Sequence, residues 1–196
     1  MDADAGDPFE EFVRGRSARL FRLAMLLAGQ NRAEAGELLE IALERAYRRR
    51  ATASRDRSPE PYVRQVLVST SIDRWRSLRR RAGQPPAAGE PGPEVRDATG
   101  EIADRDLLLR SLAALPPRQR AVLVLRYWED LPEAEIASVL RCTVGTVRSQ
   151  ASRGLARLRE AAASRVAERP ETAAPDQPGT AVTAQAERPE TGDRDD

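Results

Sequence analysis

The chain has 196 residues, 32% of them charged and 4% aromatic, with a formal net charge of +1, one cysteine and no histidine. Without histidine and with a lone cysteine, the commonest general base, the usual zinc ligand sets and any internal disulfide are excluded. No apolar run approaches the length of a membrane span and no secretory leader pattern is visible, so a cytoplasmic protein without cofactor or metal is expected.

All 32 basic residues are arginine. Their even balance with the acids hides an asymmetry. From Val166 to Asp196 there are eight acids against three arginines. The tail is acidic, and what precedes it is basic.

In chain order, Asp7 followed by Pro8 reads as a helix start. Phe9, Phe12, Val13, Leu20, Phe21, Ala24 and Leu27 then recur at helical spacing. After Gly29-Gln30-Asn31, a second helix carries the stripe Ala35, Leu38, Leu39, Ala42, Leu43, Ala46 and Tyr47. Its flank is acidic, and Arg45, Arg48, Arg49 and Arg50 gather toward its C-terminal end, where the helix dipole favours them. A polar loop spans Ala51 to Pro61.

A third helix is predicted from about Glu60 to Arg81, with Tyr62, Val63, Val66, Leu67 and Thr70 inward. Its far half becomes cationic: six arginines and two acids lie between Ser58 and Arg81. There Trp75 is either a core residue or a stacking platform among guanidinium groups. Ala82 to Gly100 holds four prolines and four glycines and reads as a linker. Nineteen such residues reach at most about 60 Å, roughly 18 base pairs of duplex.

The second half begins near Glu101. Leu107, Leu108, Leu112 and Leu115 predict one helix, which Pro116-Pro117 ends. Arg118 to Trp128 predicts the next, with Val122, Leu123 and Leu125 in the core. A short helix from Ala134 to Leu140 follows, then the turn Arg141-Cys142-Thr143. A last helix starts at Val144, with Val147, Ala151, Leu155 and Leu158 inward. This is a helix-turn-helix pattern.

Thr143 is placed to cap the last helix. Its polar face offers Thr146, Arg148, Ser149, Ser152, Arg153 and Arg157. From Arg141 to Arg159 there are five arginines and no acid, an uncompensated cationic surface suited to a DNA major groove. Beyond Ala163 the composition turns to Pro, Glu, Thr and Ala, with ERPET at Glu168–Thr172 and again at Glu187–Thr191. Residues 164–196 are expected to be a disordered acidic tail.

Two all-helical basic modules on a proline-rich tether, with LAALPPRQRAVLVLRYWEDLPEAEIASVL (Leu112–Leu140) running into CTVGTVRSQASRGLARLR (Cys142–Arg159), resemble the sigma-70 family of RNA polymerase sigma factors. The group is the extracytoplasmic-function (ECF) one, in its SigE-like actinobacterial branch. The resemblance implies an all-α protein of two small domains. Residues 7–81 would be sigma domain 2, 82–100 a linker and 101–163 sigma domain 4. Its implied partners are core RNA polymerase, through the β′ coiled coil and the β flap, and promoter DNA. An anti-sigma factor is a further candidate.

By the same resemblance, Leu38, Leu39 and Glu40 meet the polymerase. Ser69, Asp73, Arg74, Trp75, Arg76, Arg79 and Arg80 meet the −10 element. Thr143, Val144, Thr146, Arg148, Ser149, Ser152, Arg153 and Arg157 meet the −35 element. Such a protein performs no bond chemistry of its own. The alternatives are a helix-turn-helix regulator acting without polymerase, and a decoy that binds polymerase or an anti-sigma factor without opening DNA. The chain departs from the family pattern at Gly36 and Glu40 on the second helix, at Ser69, and at Arg141, which stands where a turn glycine is usual.

Overall fold

The computed structural model describes residues 7–50, 58–82 and 100–167. Within them lie seven helices: α1 (Pro8–Leu27), α2 (Arg32–Arg49), α3 (Glu60–Ala82), α4 (Gly100–Ala114), α5 (Pro117–Tyr127), α6 (Glu133–Leu140) and α7 (Val144–Ala167). The linker predicted over 82–100 falls almost wholly outside the described residues, as does the acidic tail from residue 168 onward. Residues 164–167 continue α7 and do not begin the tail.

Helix starts follow local chemistry. Asp7 caps α1 by accepting from Phe9 N at 3.0 Å, and Asn31 caps α2 by accepting from Glu34 N at 3.0 Å. Gly29 turns the chain between them at a φ of +64°. The buried stripe of α2 is Ala35, Leu38, Ala42 and Ala46. Small residues there let α1 and α3 approach on either side. Tyr47, predicted to close that stripe, lies largely exposed, its ring against Phe9 at 5.5 Å.

On α3, Val63, Val66 and Leu67 are buried as predicted, but so are Val68, Ser71 and Ile72. The helix is enclosed on two sides, because it packs on α1 and α2 and also on α5 and α6. Of the leucines that predict α4, Leu108 is more than half exposed, whereas Leu112 packs against the core together with Leu109. A helix at the edge of the assembly needs only one narrow row.

The centre of the molecule is α5. Every residue from Gln119 to Leu125 is buried, and the helix packs on α1, α3, α6 and α7. Buried residues from both halves of the chain form one continuous core. Gly154 of α7 lies against α5 so closely that a Cβ there would stand 3.0 Å from Leu123 Cδ1.

Two polar ties cross between the halves. Arg120 donates to Leu27 O at 2.9 Å, Ala113 O at 2.6 Å and Leu115 O at 3.1 Å. These are carbonyls at the C-terminal ends of α1 and α4, which helix geometry leaves unpaired. Burial pulls the Arg120 guanidinium below its usual pKa, opposed by the Glu34 carboxylate. Gly29 makes room for it: a Cβ there would lie 2.7 Å from Arg120 Nη1. The second tie is Glu129, its side chain 2% exposed, which accepts from Arg64 Nε at 3.0 Å and from Arg19 Nη2 at 3.2 Å.

Candidate nucleic-acid interface

Helix α6 ends on Arg141, whose φ of 50° and ψ of 53° are left-handed. Its N–H and that of Cys142 close the helix on Ser138 O at 3.2 Å and Ala137 O at 2.9 Å. This is the turn chemistry that glycine usually serves. Thr143 then opens α7: its Oγ1 accepts from Thr146 N at 3.1 Å, and its carbonyl accepts from Val147 N. Val147 and Ala151 are buried against α5 and α6, with Leu155 and Leu158 beside them.

With that face inward, a 3.6-residue turn puts Gly145, Ser149, Ser152, Arg153 and Ala156 along the opposite face. Its middle is small and polar, so the helix backbone can approach a groove floor. Thr143, Ser152, Arg153 and Arg157 are exposed, and Val144, Thr146 and Ser149 are half-buried. Arg148, 69% exposed, and Arg157 stand on the flanks.

The cationic surface is partly compensated, which corrects the expectation of an acid-free face. Arg148 Nε donates to Glu133 Oε2 at 2.7 Å, and Arg126 Nη1 donates to Glu133 Oε1 at 2.9 Å. The two guanidinium groups hold the Glu133 carboxyl below its usual pKa. Arg157 Nη1 donates to Gln119 Oε1 at 3.1 Å. The compensating acid comes from the first turn of α6, ahead of the stretch from Arg141 to Arg159.

On the far half of α3, Ser69, Asp73, Arg76 and Arg80 share one exposed face at spacings of four, three and four. Arg76 pairs with Asp73 at 3.2 Å. Trp75 is half-buried at the end of the row Val68, Ser71, Ile72, with the Arg79 guanidinium 5.2 Å from its ring centre. It is thus neither a sealed core residue nor an open platform. Arg74 does not share the exposed face. It reaches back to α2, bonding Glu37 and standing 3.8 Å from Glu34. Burial nevertheless raises the Glu34 pKa, against the attraction of Arg74 and Arg120.

On α2, Glu40 is exposed, Leu39 is partly buried and Leu38 is fully buried. Leu38 therefore shapes the surface from beneath and offers no side chain to a partner. Among the described residues no helix is long and apolar enough to cross a membrane. No cluster of three or more candidate metal ligands forms among them.

A capped, arginine-bearing second helix of a helix-turn-helix is the geometry with which one class of DNA-binding transcription proteins enters a major groove. Residues 105–158 match the family model for sigma-70, region 4. The chain is 41% identical over 152 residues to RNA polymerase sigma-E factor of Streptomyces coelicolor, covering 78% of this chain and 84% of that one. It is 30% identical over 156 residues to ECF RNA polymerase sigma factor SigM of Mycobacterium tuberculosis, covering 79% and 78%. The solved structure of the sigma factor RpoE in complex with the anti-sigma factor NepR from Bartonella quintana matches 79% of this chain and 96% of that chain. Its TM-score is 0.61 at 18% identity, a likeness of fold. The chain belongs to the ECF group of RNA polymerase sigma factors, as the resemblance of Leu112–Arg159 implied.

Proposed function

We propose that this ECF sigma factor binds core RNA polymerase and gives it promoter specificity by seating α7 in the major groove of a −35 element. Thr143, Val144, Thr146, Arg148, Ser149, Ser152, Arg153 and Arg157 form the contacting set. The observation that carries this reading is the outer face of α7. It is capped, accessible and built of small residues at its centre with arginines beside them, which is what close approach to base edges and phosphates requires.

The −10 element falls to the exposed row Ser69, Asp73, Arg76 and Arg80, with Trp75 and Arg79 at its side. Arg74 belongs to the supporting structure, through its bonds to α2. Leu39 and Glu40 lie on the surface offered to the polymerase. Residues 7–81 and 101–163 act as the two DNA-binding modules, joined through 82–100, and an anti-sigma factor is a further partner. The protein works in the cytoplasm, where the polymerase is, and supplies binding and strand stabilisation without bond chemistry.

The test is transcription by reconstituted holoenzyme. Each arginine that pairs with a base is worth about 1–3 kcal/mol. Replacing Arg148 and Arg153 together by alanine is expected to lower −35-dependent initiation on the order of a hundredfold while core binding is retained. Unchanged initiation would overturn the groove assignment.

A further inference from the structure

We propose that Glu133 is a specificity-determining positioning residue, which fixes the Arg148 guanidinium so that only its two terminal amino groups meet the DNA. This deepens the −35 reading above and rests on it.

Arginine can present two different pairs of donors to a guanine edge: the two terminal amino groups, end-on, or Nε with one of them, side-on. Here Glu133 Oε2 takes the Nε hydrogen at 2.7 Å, which closes the side-on edge. The other oxygen, Oε1, is engaged by Arg126 from α5 at 2.9 Å, so both carboxylate oxygens are held. Glu133 begins α6, just beyond Pro132, and its side chain is 24% exposed. The carboxylate is thus held by its own helix α6 and by Arg126 of α5 before DNA arrives.

A long arginine side chain otherwise samples many rotamers, and ordering it costs roughly 2 kcal/mol. Pre-ordering by Glu133 removes part of that cost and leaves one way to read guanine O6 and N7. A carboxylate beside the groove also repels phosphates. Glu133 therefore lowers affinity for DNA in general while sharpening choice at one base pair.

A purely neutralising ion pair would behave differently. Removing its acid would raise affinity for all sequences alike and change no preference. The two roles separate in a selection experiment. The full-length protein is assembled with core RNA polymerase, and the holoenzyme selects from synthetic promoter duplexes randomised across the −35 region, followed by sequencing. Wild type, Glu133→Ala, Glu133→Gln and Arg148→Ala are compared. The Gln variant keeps the size of the side chain, and a thermal melt confirms that each variant is folded.

Arg148→Ala is expected to erase a guanine preference at one position. Glu133→Ala and Glu133→Gln are expected to lower the preference at that same position roughly tenfold, within the worth of one bidentate contact, and to raise binding to unrelated DNA. Other positions keep their preferences. If Arg148→Ala erases the preference and both Glu133 variants leave it intact, the positioning role is wrong and the groove reading survives. If Arg148→Ala changes no position, the groove reading fails and the inference falls with it.

Discussion

Arg64 on α3 donates its Nε hydrogen to Glu129 Oε2, 65 positions later in the chain, at 3.0 Å, and both side chains are largely shielded from water. Arg19 joins from α1, and Glu60 stands 3.5 Å from Arg64 and 3.4 Å from Arg19. The corner that follows α5 is therefore bound to both outer helices of the N-terminal half. Asp130 helps make that corner, at a φ of 52°. Removing one partner of a buried ion pair costs more than the pair contributes, because the other charge stays behind. Glu129→Ala is expected to lower unfolding stability by about 3 kcal/mol, measured by urea denaturation. A change below about 0.5 kcal/mol, the ordinary range of surface substitutions, would show that the tie contributes nothing.

Arg120 serves helix ends in both halves of the chain. Its planar fork meets carbonyls from α1 and from the end of α4 together. A lysine ammonium is a single point and is more strongly hydrated. Arg120→Lys is expected to cost about 2–3 kcal/mol, the penalty for leaving buried acceptors unpaired. A melt indistinguishable from wild type would show that those carbonyls find other donors.

Two positions are expected to gain stability. Arg141 holds a left-handed conformation that an L side chain resists by about 1 kcal/mol. Gly36 lies inside α2 with nothing within 4 Å of the place a Cβ would occupy, and alanine there is favoured by about 1 kcal/mol. Arg141→Gly and Gly36→Ala should each raise the melting temperature by several degrees. A fall at Gly36 would mean that open space is not what its surroundings offer.

The Glu133–Arg148 contact should be insensitive to pH through the neutral range. The sign follows from a folded pKa below the ordinary 4.5. Such a carboxylate contributes fully above its unfolded value, and its contribution is lost only as pH falls through the lower folded value. The Arg148 Nε–H resonance in NMR is expected to keep its position from pH 8 to pH 5.5 and to shift only below 4.5. A shift near pH 6.5 would mean that some other group governs the contact.

Local chemistry is legible in the sequence. The Asp7 and Thr143 caps, the turn at Arg141 and the inward stripe of α7 all stand where residue spacing puts them, since each depends on neighbours within a turn or two; that the turn would be strained followed from the family resemblance, in which a glycine is usual there. Long-range relations are not legible in this way. Val68 and Ile72 are buried because a helix from the other half covers them, and no periodicity announces a second neighbour. The four leucines that announce α4 do not say which of them face inward, and Leu108 stands exposed because the edge helix buries only a narrow row. The pairing of Arg148 with Glu133 escapes a count of charges along α7, because the turn folds α6 back beside it. Arg120 and Glu129 look like ordinary surface charges, and only the meeting of the two halves buries them.

The most direct measurement is run-off transcription with purified core RNA polymerase, this protein and a library of promoter fragments. Discrete transcripts are expected with the reconstituted holoenzyme and not with core alone, and their templates should share paired upstream elements whose distal half is lost as a requirement in the Arg148→Ala, Arg153→Ala variant. A holoenzyme that forms but starts RNA on no template would contradict promoter-specific initiation by this chain.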